Sequence, residues 1–162
     1  MTAQQTITPC LWFESEALEA AEFYTSIFPN SSIVTVQRTP ADTPGPKEGS
    51  VLMVVFNLAG QDYQALNGGP HDKFNDSISL SVTCEDQKEV DRLWSALTAG
   101  GGKPVQCGWL KDKYGLSWQI VPKRLPELLA NADPEKAKRV MQAMLKMVKI
   151  DIAALEAAAA GR

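Results

Sequence analysis

Apolar and polar residues in the first 67 positions follow a pattern that predicts a strand, a helix and three further strands. Residues 7–13 are apolar on both faces and are predicted to form a covered strand. Residues 15–28 carry apolar side chains at three- and four-residue steps, which predicts an amphipathic helix with Ser15 as its N-cap. Residues 39–49 contain three prolines and two glycines and are predicted to form a loop. The three further strands are predicted over residues 32–38, 50–58 and 63–66.

The same order of elements is predicted again after a break at residues 67–70, which read Asn-Gly-Gly-Pro. Residues 77–84 alternate between polar and apolar side chains, as expected of a strand. Residues 86–99 have helical periodicity, and the three glycines at 100–102 end that helix. Three short strands are then predicted over residues 105–107, 109–112 and 116–121.

A final helix is predicted from the pair Asp133–Pro134, an N-cap followed by a first-turn proline, to about Ala159. Its apolar stripe includes Met141, Met144 and Val148. Stripes rich in methionine usually belong to a core or to a dimer surface, and ligand binding is the less favoured alternative. We therefore expect this helix to contribute to a homodimer interface.

The two halves of the chain align with each other at two different offsets. An offset of 69 residues places Thr8 on Ser77 and superposes the apolar positions of the two helices. An offset of 55 aligns residues 60–66 with residues 115–121 through the shared order Gly-x-x-aromatic-Gln-apolar-apolar. This repeat predicts an α+β fold built from paired β-α-β-β-β modules, with a C-terminal helix added. The alternative is a chance repeat in an unrelated α+β domain.

Length, charge and cysteine content narrow the class of protein further. A chain of 162 residues matches one ordinary domain, and its net charge of -3 provides no basic surface for nucleic acid or an anionic membrane. The longest apolar run, residues 51–56, is too short to span a bilayer, and the N-terminus has no secretory pattern. Three cysteines without CxxC spacing are typical of a reducing compartment, so a cytoplasmic location is expected.

Several stretches of the chain resemble the PhnB-like family of the vicinal-oxygen-chelate superfamily, which includes glyoxalase, bleomycin-resistance and dioxygenase proteins. These stretches are residues 7–13, 20–30, 65–70, 90–94 and 107–122. The resemblance implies a domain over residues 1–125, with modules at about 5–67 and 76–122. Residues 126–162 would then form a helical extension. Members of this family often carry the label 3-demethylubiquinone 3-methyltransferase-like, but a fold does not fix a function.

The resemblance also implies where a metal ion would lie. Superfamily enzymes place a His, Gln or Glu near the start of the first strand of each module and a Glu in the last strand, and these four side chains converge on one divalent ion. Carried onto this chain, those positions are Thr8, Gln64, Ser77 and Gln119. Two hydroxyls and two amides supply no charge to offset desolvation of the ion. We therefore expect no catalytic metal and no other cofactor.

Alternation along the strands predicts a ligand-binding hollow lined by polar and aromatic side chains. The predicted contacts are Thr8, Cys10, Trp12, Gln64, Ser77, Ser79, Trp109, Lys111 and Gln119. Such a surface suits a small polar or planar organic ligand, including an anionic one. In the alternative interpretation, the tryptophans belong to an ordinary core and residues 111–113 form a solvated turn.

Function is left between two classes at this stage. The leading hypothesis is a small-molecule-binding protein without a metal, with drug sequestration as one form of it. The second hypothesis is an enzyme, either a methyltransferase or a metal-dependent lyase, isomerase or dioxygenase. No catalytic residue can be assigned, because the single histidine, His71, lies in the break and Cys10, Cys84 and Cys107 have no base nearby in sequence.

Overall fold

The computed structural model describes residues 5–130 and 133–162, and the chain divides into two compact units between Lys73 and Phe74. Each unit contains a strand, a helix and three strands in that order, as the repeat predicts. Among the described residues, no helix has the length and apolar content needed to cross a membrane.

The first unit has one helix and a four-stranded sheet of order β1-β4-β3-β2, with β1 parallel to β4 and the other neighbours antiparallel. Its elements are β1 (Cys10–Phe13), α1 (Ala17–Ile27), β2 (Ser32–Arg38), β3 (Val51–Leu58) and β4 (Gln61–Asn67). The turn between β3 and β4 consists of Ala59 and Gly60, both with positive φ, which is the two-residue hairpin connection that favours glycine.

Helix α1 buries its apolar stripe on one face of this sheet. Ala20, Ala21 and Tyr24 are fully buried, as are Val54 and Phe56 of β3 beneath them. The predicted N-cap, Ser15, is wrong: the N-cap position is Glu16, and its side chain makes no capping hydrogen bond. The first helical N–H, that of Ala17, is instead satisfied by the side chain of Asn67, whose Oδ1 accepts it at 2.8 Å.

The second unit repeats this arrangement with a sheet of order β5-β8-β7-β6. Its elements are β5 (Ser79–Cys84), α2 (Gln87–Thr98), β6 (Lys103–Pro104), β7 (Trp109–Lys111) and β8 (Ser117–Pro122). The predicted strand at 105–107 is wrong, because Cys107 and Gly108 take left-handed φ values of 59° and 81° and form a turn. Pairing with β7 is made instead by Lys103 and Pro104.

The strand register shows that one of the two predicted offsets, the offset of 69 residues, does not hold for the first strands of the two units. Cys10 lies opposite Gln64, whereas Ser81, 71 positions after Cys10, lies opposite Gln119. If β8 follows β4 by 55 residues, then β5 follows β1 by 71 and not by 69. The difference is two residues, so the same side chains still face the same side of each sheet.

Within the described part of the chain after β8, three helices are present where one long helix is predicted, and they belong to the second unit. They are α3 (Arg124–Leu129), α4 (Pro134–Met144) and α5 (Ile152–Ala159). Asp133 caps α4 as expected, accepting the N–H of Glu135 at 3.0 Å. The helix ends after Met144 because the carbonyls of Met147 and Val148 accept the N–H groups of Cys107 and Gly108 at 2.8 and 2.7 Å.

The break divides the predicted methionine stripe. Met144 packs against a core cluster that includes Val140, Ile150 and Leu155, whereas Met141 and Val148 remain 40% and 41% exposed. The three side chains therefore do not form one continuous helical face.

Candidate functional site

Each sheet has one face covered by its own helix and an opposite face, called here the open face. In the first unit, fully buried Ala65 of β4 points toward α1, so its neighbours Gln64 and Leu66 point to the first open face. Their register partners on β1, Cys10 and Trp12, point the same way. On the other side of β4, Val55 lies opposite Gln64 and Met53 opposite Leu66. The first open face therefore combines a thiol, an amide and an indole with apolar side chains, and β2 adds Thr35 and Gln37, the register partners of Val55 and Met53.

Trp12 is held in a fixed orientation by the loop that follows β4. Its indole Nε1–H donates to the carbonyl of Gly69 at 3.0 Å. The indole ring lies directly against Gly68, where a Cβ atom would overlap it. Glycine at position 68 is therefore required by the close approach of the ring and the backbone.

Cys10 and Gln64 lie side by side on the first open face, and Thr8 does not join them in the sheet. Cys10 is exposed, and partial burial of its thiol raises its pKa, which keeps the sulfur protonated. Thr8 precedes β1, and its hydroxyl lies 3.5 Å from the Gln5 amide. The Gln5 side-chain amide also donates to the Asp62 carbonyl and accepts the Asp62 N–H, so it links the segment before β1 to the start of β4.

The second open face is polar and is organised in two rows across the strands. One row contains Ser79, Ser117, Lys111 and Lys103, which are successive register partners from β5 to β6. The next row contains Ser81, Gln119 and Trp109. Their neighbours Leu110, Trp118 and Ile120 are buried on the helix side. Hydroxyls, an amide, an indole and two ammonium groups thus share one face.

Gln119 is oriented by a hydrogen bond from its Nε2 to the Ser79 hydroxyl, with a distance of 2.9 Å. The bond uses the amide as a donor, so its oxygen remains available to a ligand. Ser77, the fourth predicted metal position, precedes β5 and is exposed, and its backbone N–H donates to Asn75 Oδ1. It is therefore separate from the row that Ser79 begins.

Lys111 forms an ion pair with Asp76, a residue that no sequence pattern indicates as part of the site. Its Nζ lies 2.9 Å from Asp76 Oδ1, and the Ser117 hydroxyl donates to the same oxygen at 3.1 Å. These two hydrogen bonds lower the pKa of Asp76, so the carboxylate is ionised over the neutral range. The next residue after Lys111, Asp112, is buried, so the alternative of a solvated turn at 111–113 is wrong for that residue.

The donor set on these faces does not resemble a divalent-metal site. Thr8, Ser77, Gln64 and Gln119 offer neutral oxygens, and two of the four lie outside the strands. Within residues 5–130 and 133–162 there is no group of three or more His, Cys, Asp or Glu side chains placed to hold a metal. Neutral donors of this kind do not fit a tightly bound divalent ion.

The remaining predicted candidates for reactivity lie apart from these rows. His71 is exposed in the segment after β4. Cys84 is buried and its pKa is raised to about 12, chiefly by desolvation, so it is an unreactive core thiol. Cys107 is half-buried in the left-handed turn before β7.

One further residue of the second open face could have been found from the sequence, and two could not. Ser117 lies two positions before Gln119 and so shares its face, which strand alternation predicts. Lys103 belongs to a strand that was predicted two residues too late in the chain. Asp76 lies in an irregular segment 41 residues before Ser117, and no local pattern places its carboxylate there.

The order of elements in the two units, with the first and last strand of each unit parallel, defines the class of the protein. It has the glyoxalase/bleomycin-resistance superfold, to which a C-terminal group of helices is added. The genomically encoded fosfomycin resistance protein FosX of Listeria monocytogenes shares this fold at 13% identity, with a TM-score of 0.51 over 78% of this chain and 98% of that one. Protein PA1353 of Pseudomonas aeruginosa shares it at 19% identity, with a TM-score of 0.55 over 74% and 98%.

Within this class, the chain belongs to the family described as 3-demethylubiquinone-9 3-methyltransferase, whose model matches residues 5–121. A PhnB protein from Bacillus cereus is 38% identical, with a TM-score of 0.66, and the match covers 73% of this chain and 99% of that one. No curated protein matches the chain. The PhnB-like resemblance of the sequence is thereby confirmed. The family match ends before α3, so the three C-terminal helices lie outside it.

Proposed function

We propose that this protein binds a small organic molecule on the second open face. The observation that carries the proposal is the pair of rows in which Trp109, Gln119, Lys111 and hydroxyl groups face the same side. A flat indole, an oriented amide and an ammonium group are the components of a site for a planar, polar ligand. On the first open face, taken by itself, Cys10, Trp12 and Gln64 are proposed as ligand contacts, because their apolar neighbours would take up aliphatic or aromatic surface.

The proposed binding does not use a divalent metal. By the resemblance, Gln64 and Gln119 correspond to positions where superfamily enzymes place a Glu, and the neighbouring Cys10 and Ser79 do not replace that charge. A divalent ion bound by amides and hydroxyls would lose its hydration without gaining negatively charged ligands, so the cost of desolvation would not be offset. Thr8 and Ser77 remain proposed contacts by resemblance alone, since both lie beyond the ends of their strands.

The proposed assembly is a homodimer in the cytoplasm. Met141, Leu145 and Val148 are 40%, 58% and 41% exposed at the end of α4 and in the segment after it. Exposed apolar side chains within one short segment of the chain favour burial against a partner. A second copy of the chain is the partner proposed.

Native mass spectrometry of the purified protein tests these statements together, with elemental analysis and calorimetric metal titration as companions. The expected result is a dimer that retains a small molecule and contains less than stoichiometric metal. Tight stoichiometric Mn, Fe, Ni or Zn would contradict the metal-free proposal. A monomer at micromolar concentration would contradict the dimer.

Methyl transfer is the second candidate, and the family's description is the observation that favours it. A common methyl-donor site needs a glycine-rich turn between a parallel strand and the following helix. The turns after β1 and β5 contain Glu14, Ser15, Glu16, Glu85 and Asp86 instead of glycine. Calorimetric titration with S-adenosylmethionine separates the candidates, because micromolar binding would favour the transferase.

A further inference from the structure

One corner of the second open face carries two lysines directly opposite each other. Lys103 of β6 and Lys111 of β7 are register partners in an antiparallel pair, so their side chains leave the sheet on the same side. Partners of this kind have Cβ atoms about 5 Å apart, and two like charges at that spacing destabilise each other. Two lysines whose side chains leave one sheet from neighbouring positions on the same side can both reach a single anion.

The anion present at this corner is the chain's own Asp76. Its Oδ1 accepts hydrogen bonds from Lys111 Nζ at 2.9 Å and from the Ser117 hydroxyl at 3.1 Å. Ser117 itself is only 1% exposed, so its hydroxyl is fixed by the surrounding sheet. Within the part of the chain that the structure describes, Lys103 forms no ion pair, and the corner therefore keeps one uncompensated positive charge.

Asp76 is held at this corner loosely. Its side chain is 70% exposed, and its neighbours Asn75 and Ser77 are also exposed and lie outside any strand. Ion pairs this exposed contribute little net stability, because water competes for both partners. In both contacts Asp76 uses only Oδ1, so a ligand carboxylate that engages both of its oxygens and adds surface contact can displace it.

The geometry points to a carboxylate-binding site formed by Lys103, Lys111 and Ser117, which Asp76 occupies when no ligand is bound. The adjacent row indicates which group the ligand carries beside its carboxylate, because Trp109 lies two residues from Lys111 on the same face. An indole beside an anion site suits a planar ring, so the ligand class is a small aromatic carboxylic acid. This inference rests on the proposed function and specifies its ligand.

Benzoate is the probe that tests the inference, with uncharged benzamide as the matched control ligand. Binding is followed by two-dimensional amide and indole NMR of the full chain, which reports both affinity and whether Trp109 and Ser117 respond. Asp76→Asn removes the competing charge and keeps the shape, so it is expected to bind benzoate about tenfold more tightly than the unmodified protein. Lys111→Met is expected to weaken binding about tenfold, and Lys103→Met by a smaller factor.

Asp72→Asn, at an exposed position in the preceding segment, controls for the loss of one negative charge and should leave the affinity unchanged. Equal benzoate affinity in Asp76→Asn and the unmodified protein would overturn the inference. So would equal affinity for benzamide and benzoate, or perturbed resonances remote from Trp109 and Ser117. If native mass spectrometry finds another retained molecule while these variants behave alike, the proposed function survives and only the carboxylate site is lost.

Discussion

Asp112 is a charged residue with 3% of its surface exposed, and its neighbours explain how the charge is tolerated. Oδ1 accepts the backbone N–H groups of Tyr114 and Leu116 at 2.9 and 3.0 Å, and Oδ2 accepts the indole N–H of Trp118 at 2.9 Å. The carboxylate thereby closes the turn between β7 and β8 and fixes the largest buried side chain of the second unit. Its role is structural, one residue away from the proposed ligand contact Lys111.

Asp112→Asn is expected to lower the free energy of unfolding by about 2–3 kcal/mol, since an amide replaces one acceptor oxygen with an NH₂ group that faces an N–H donor. Urea unfolding followed by tryptophan fluorescence measures the change. Asp72→Asn, which alters an exposed carboxylate, is the matched control and should stay within about 0.5 kcal/mol. Equal effects of the two substitutions would show that the buried acceptor contributes nothing.

At the scale of elements, the start of α1 depends on a side chain from the far end of its own unit. Asn67, at the end of β4, accepts the Ala17 N–H and donates through Nδ2 to the Val51 carbonyl at 2.9 Å. It thus joins α1, β3 and β4 at one buried point. The helix needs this contact because Glu16 supplies no cap of its own.

Asn67→Ala is expected to destabilise the protein by roughly 2–4 kcal/mol, since it leaves a buried N–H and a carbonyl without partners. Asn67→Asp retains the acceptor for Ala17 but sets a carboxylate oxygen against the Val51 carbonyl, so it is also expected to be destabilising. Thermal unfolding by circular dichroism gives the ranking. Asn75→Ala, at an exposed asparagine, provides the control, and a loss equal to that of Asn67→Ala would refute the capping role.

At the scale of the whole molecule, the C-terminal helices are part of the second unit, although the family match does not include them. Ile150 is fully buried and lies against Gly108, and the Gln87 side chain bonds the backbone of Ile150 and Ile152 at 3.1 and 2.9 Å. The segment also supplies acceptors for the turn before β7. Residues beyond the family match therefore support the strand that carries Trp109 and Lys111.

Ile150→Ala is expected to reduce stability by about 2–5 kcal/mol through the cavity it leaves. Hydrogen–deuterium exchange should show protection lost in β7 and α2 as well as in α5. Ile78→Ala, at a position 60% exposed in the same unit, deletes the same atoms and should change little. Protection lost only within α3 to α5 would mean that these helices are a separate appendage.

Much of the fold followed from local patterns, and the errors have identifiable causes. Periods of two and of about 3.6 residues placed most of the strands and both module helices. The Ser15 cap and the single C-terminal helix were wrong because Asn67 and the 107–108 turn provide partners from distant parts of the sequence. The offset of β5 was wrong by two residues because a shift of two leaves every side chain on the same side of its strand, so matching apolar positions does not detect it.

The sequence by itself determined the family and the order of elements within the two modules. It also determined the side of each sheet on which Gln64, Gln119, Trp109 and Lys111 lie, because alternation along a strand is a local property. Only the tertiary structure decided that Asp76 lies on Lys111 and Ser117, and that Lys103 is opposite Lys111. Those contacts depend on strand register and on the course of an irregular segment. Both are set by the summed packing of residues far apart in the chain, and no local pattern encodes them.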